Sequence, residues 1–96
     1  MSATIKERIK LNLGISHDKL DDEIDARIAA GRKELKRLGI TAVKANSEDE
    51  LISDGLIAFV CMWHASDSTE RSGWERSWQI ISTALKDSSA YYEESE

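Results

Sequence analysis

Residues 51–65, LISDGLIAFVCMWHA, constrain the fold more than any other stretch of this chain. The segment 56–63 within it, LIAFVCMW, is apolar without interruption. Every other candidate helix carries apolar residues on one side only. A helix that is apolar all round must be buried on every side or lie in a membrane. With Asp54 and His64 near its ends, the stretch is too short and too polar to span a bilayer. It is therefore predicted to be the central buried helix, over about 48–66, of a small all-α bundle of about four helices. The remaining segments should wrap around it.

A chain of 96 residues makes one domain and buries roughly 65% of its unfolded surface. We place that domain at 1–90, with an acidic tail at 91–96. No proline interrupts the helical patterns, and no alternation typical of a strand runs long enough to compete. The N-terminal MSATIKERIK has no apolar core of a signal peptide, so neither signal nor anchor is expected. The single cysteine, Cys61, excludes an internal disulfide framework and suits a reducing compartment. Charge is uneven: residues 1–46 carry +3 and residues 47–96 carry −8 of the net −5. An acidic chain without a dense basic cluster is a poor ligand for phosphate, so no sequence-specific nucleic acid is expected. No membrane contact is expected either.

Taken in order, Thr4-Ile5-Lys6-Glu7 is a capping box that opens a short helix with Ile5, Ile9 and Leu13 inward. Gly14 should stop it. Ser16-His17-Asp18-Lys19 reads as a second entry signal. After it, Leu20, Ile24, Ile28, Gly31, Leu35 and Leu38 recur at helical spacing over about five turns. The charges of this helix follow its dipole, from Asp21, Asp22, Glu23 and Asp25 to Arg32, Lys33, Lys36 and Arg37. Gly39 ends it. Gly31 costs a helix roughly 1 kcal/mol against alanine, which a close helix crossing over it would offset. Residues 39–46, GITAVKAN, form the one connection that is not plainly polar, and Ile40 and Val43 are read as tucking back onto the core. A short extended piece fits there, though not a sheet. Ser47-Glu48-Asp49-Glu50 is read as a second capping box, opening the central helix. A polar break at Ser66, Asp67, Ser68 and Thr69 follows. Ser72-Gly73-Trp74-Glu75 is read as a third box, opening a long last helix with Trp74, Trp78, Ile81, Leu85, Ser88 and Tyr92 on one stripe. Its carboxylate-rich end opposes the dipole, so fraying is expected there.

Little here makes chemistry. Cys61 and His64 share a helix face and form half of a zinc site, but only His17 and scattered carboxylates could complete it. Core packing is the preferred reading. Cys61 lies inside the apolar run, away from the electropositive exposure that activates a thiol. No glycine-rich phosphate loop is present, and Asp21, Asp22 and Asp25 are explained by the helix dipole. No enzyme, metal or cofactor is expected. Trp74 and Trp78, in ERSGWERSW beside Arg71 and Arg76, either cover the central helix or face a partner, since Trp and Arg concentrate binding energy. Tyr91 and Tyr92 beside Glu93, Glu94 and Glu96 suggest a segment that orders on a partner.

The arrangement resembles a known family. Leu20-Asp21-Asp22-Glu23-Ile24, then Ile28-Ala29-Ala30-Gly31 and Leu38-Gly39, look like the second helix of tailed-phage head–tail connector (adaptor, head completion) proteins. The hydrophobic run ending at Trp63 resembles that family's middle helix. Residues 66–92 look like its closing module, a polar break followed by a long helix bearing aromatics. The resemblance covers roughly residues 5–92 and implies a structural virion protein that assembles as a dodecameric ring under the portal protein. The isolated subunit would be monomeric. Such a ring joins the DNA-filled head to a tail-side stopper or tail-completion protein. It would stand at the head–tail junction of the virion, after assembly in the bacterial host cytoplasm.

In that family the C-terminal segment grips the portal, which assigns Tyr91, Tyr92, Glu93, Glu94 and Glu96 to this contact. The loop 39–46, with Ile40, Thr41, Val43 and Lys44, would face the tail. DNA would only pass through an acidic channel that repels phosphate. A ring needs one patch meeting a different patch on its neighbour, and the charge split suggests Arg32, Lys33, Lys36 and Arg37 against Glu70 and Glu75. The competing expectation is a small helical regulatory or protein-interaction module, antitoxin- or anti-repressor-like. Such a regulator of DNA should present a basic recognition helix, whereas the basic cluster here sits on a helix end.

Overall fold

The computed structural model describes residues 4–88, and the tail at 91–96 lies outside them. Among the described residues five helices follow in order: α1 (Ile5–Leu13), α2 (Asp21–Arg37), α3 (Ala42–Ala45), α4 (Glu50–His64) and α5 (Ser68–Lys86). No strand forms among the described residues. The whole measures 44 × 28 × 23 Å.

α4 is the axis. Nine of its fifteen residues are buried, among them Ile52, Leu56, Val60 and Cys61 with no exposed surface. α1, α2 and α5 all pack against it, α5 most extensively. Two glycines set the spacing of the two long neighbours. Gly31 of α2 lies under Leu56 and Phe59, while Gly55 of α4 lies under Ile81 and Trp78 of α5. A Cβ at Gly31 would stand 2.8 Å from Leu56, closer than a packed pair allows, whereas one at Gly55 would meet Ile81 at a tight 3.2 Å. Ile5 and Ile9 from α1, Ile24 and Leu35 from α2, and Leu85 from α5 complete the core. α5 runs antiparallel to α4: Gly55 meets Ile81, Phe59 meets Trp78, and Met62 shares a groove with Arg71 and Glu75.

The first capping box forms as read, with Thr4 accepting from the Glu7 amide and Glu7 accepting from the Thr4 amide. Gly14 ends α1 at φ 70°. The other three entry signals are displaced. α2 begins after Leu20, and no side chain caps it, so Ser16-His17-Asp18-Lys19 is not its start. Lys10 reaches across instead, bonding Asp21 at 2.8 Å and Asp18 at 3.4 Å, which fixes the first turn from outside. The cap of α4 is Asp49, which accepts from the amides of Leu51 and Ile52. Ser47 bonds the Lys44 carbonyl, within the preceding turn. α5 is capped five residues before the third box opens, by Asp67, whose carboxylate accepts from the Glu70 amide at 2.8 Å. Ser72 and Glu75 therefore lie inside the helix. A serine three residues ahead of a glutamate caps only where the chain turns into the helix, and here the turn comes earlier.

The connection at 39–46 is helical rather than extended, as α3. Ile40 is buried as expected, but Val43 is 81% exposed and does not pack on the core. A single helical turn has one inward face, and Ala45 occupies it with no exposed surface.

Candidate functional site

The exposed apolar surface with the most chemistry lies where α4 turns into α5. α4 ends at His64 because Ala65 is extended (φ −64°, ψ 137°). Asp67 opens α5 almost at once, and the Ser66 hydroxyl donates to the Glu70 carboxylate at 3.1 Å. This tight turn holds Trp63 at the rim of the bundle, where it is 55% exposed. All-round burial, predicted for the whole run to Trp63, thus holds only as far as Cys61. Beyond it Met62 and His64 are half-buried and Trp63 is exposed.

Trp63 is held from two sides. Its ring lies 6.4 Å from that of Phe59, and the Arg27 guanidinium sits 4.8 Å from its centroid. A guanidinium over an indole face is worth about 0.5–1 kcal/mol at an exposed site and orients the ring. Beside it opens a groove of ≈430 Å³, lined by Met62, Trp63, Arg71 and Glu75. Among the described residues neither Arg71 nor Glu75 makes an ion pair. Trp, Met and Arg are the side chains enriched in protein interfaces, because they offer large contact area and adaptable shape.

Trp74 and Trp78, by contrast, pack against the core, Trp78 edge-on to Phe59 at 5.0 Å. Trp74 borders a smaller groove of ≈270 Å³ with Arg8, Asn12, Asp54 and Ile57. The surface tryptophan is Trp63, the one assigned to the core from its sequence. Its place in the last turn, next to the polar break, is the signal that could have marked it.

The residues assigned to subunit contacts are divided. Arg32 is a brace within its own chain: its guanidinium donates to the carbonyls of Ala45 and Ser47, both at 2.9 Å, and to Glu48 at 3.0 Å. Arg37 pairs with Glu34, one helical turn back. Glu70 accepts from Ser66. Lys33, Lys36 and Glu75 remain exposed. Charge complementarity between the two halves is partly consumed inside the subunit, since Arg8 also reaches Glu50 at 3.7 Å and Asp54 at 2.9 Å. In the 39–46 segment, Ile40 belongs to the core and Thr41 caps α3 by accepting from the Lys44 amide. Lys44 is half-buried, so Val43 is the exposed apolar residue among these four. Tyr91, Tyr92, Glu93, Glu94 and Glu96 lie outside the described residues.

Cys61 and His64 do not assemble a site. Burial pushes the Cys61 thiol up to about 12, with the Glu70 charge adding to the effect. His17 stands exposed between α1 and α2, its Nδ1 accepting from the Lys19 amide. His64 Nε2 is buried without a hydrogen-bond partner among the described residues. No group of three His, Cys, Asp or Glu side chains converges among the described residues. No helix among them is long and apolar enough to cross a membrane. Compared with protein-family models, curated proteins and solved structures, the chain matches none.

Proposed function

We propose that this chain is a non-enzymatic structural protein, the head–tail connector subunit of a tailed phage or prophage. It would assemble as a ring under the portal and link the filled head to a stopper or tail-completion protein. The observation that carries the reading is the order and size of the helices. A short capped helix, a long amphipathic helix opened by Asp21-Asp22-Glu23, a buried middle helix and a long last helix follow one another, with the single turn of α3 between the second and third, and this order supports the reading. The rigid core fits a scaffold whose work is done at its periphery. In this reading residues 91–96 attach to the portal and the 39–46 segment, through Val43, faces the tail. The regulatory alternative has less support, because Arg32 and Arg37 of its basic cluster are engaged by their own chain.

Light scattering on the purified protein, alone and mixed with a portal protein, tests this. The expected result is a portal-bound assembly. A chain that stays monomeric and ignores portal sinks the proposal. Deleting residues 91–96 should abolish portal attachment while the circular dichroism of the bundle is unchanged.

A further inference from the structure

We draw no further inference here: the strongest candidate, the groove of ≈430 Å³ at the turn from α4 to α5, lined by Met62, Trp63, Arg71 and Glu75, carries none because nothing in the structure shows what covers it.

Discussion

Gly31 of α2 lies directly beneath Leu56 of α4: a Cβ on the glycine would stand 2.8 Å from Leu56 Cδ2, and 3.2 Å from Phe59 Cδ2. In an isolated helix, Gly31→Ala would gain roughly 1 kcal/mol of propensity. Here Leu56 has no exposed surface into which to move, and overpacking of this kind costs about 1–3 kcal/mol. The net expectation is a loss of about 1 kcal/mol, read as a lower urea midpoint. A midpoint that rises would mean that α2 and α4 do not cross at this residue.

The start of α5 is tested by two single changes. Asp67→Ala removes the carboxylate that accepts from the Glu70 amide and should cost about 1 kcal/mol. Ser72→Ala, in mid-helix and exposed, should be neutral or slightly stabilising. Thermal melts of the pair that rank the other way would restore Ser72 as the cap.

Arg32 is the strongest polar brace. Arg32→Met keeps the stem but strips the Ala45 and Ser47 carbonyls of their donor, at a cost of about 1–3 kcal/mol. Lys33→Met, one position on and exposed, should stay within about 0.5 kcal/mol of the parent. Denaturant titrations giving equal effects would show that Arg32 is an ordinary surface charge.

Acid should loosen the α1–α2 connection. The Lys10 ammonium, chiefly by its hydrogen bond, holds the Asp21 carboxyl below its usual 3.8. A carboxyl lowered on folding contributes stability above its unfolded pKa and loses it as pH falls through the folded value. The stability gap between the parent and Asp21→Asn should therefore be full above pH ~4 and close below it. Urea midpoints measured across this range check it; a gap independent of pH would remove the ion pair from the account.

Cys61 gives the alkaline counterpart. Its thiol ionises near 9.0 when exposed and at about 12 in the fold, chiefly because burial disfavours the thiolate. The unfolded chain thus releases a proton that the folded chain keeps, and stability should fall as pH rises through that interval. In the folded protein, thiol reagents should label Cys61 only at the rate of global unfolding. Prompt labelling of native protein would place Cys61 at the surface.

Much of the fold was legible in local pattern. The uninterrupted run around Leu56 announced a buried axis, the spacing of Ile24, Gly31 and Leu35 announced α2, and Thr4 with Glu7 announced α1. These signals act within one or two helical turns, so they are complete in the sequence. Ser47 and Ser72 misled because a capping pattern says that a helix can begin there, not that the chain turns there. Trp63 misled for a related reason. Its apolar neighbours implied burial, but burial depends on what crosses the last turn of α4, and Phe59 and the Arg27 guanidinium leave the indole 55% exposed.

The sequence by itself therefore determined the all-α class, the central helix, and the glycine that needed a close crossing. Only the tertiary structure decided which charges are spent. Arg32 and Arg8 reach carbonyls and carboxylates far along the chain, across separations no periodicity records. It also decided which tryptophan is the surface one. Trp78 is covered because α5 folds back over Gly55, and Trp63 is exposed because the same hairpin must turn just beyond it.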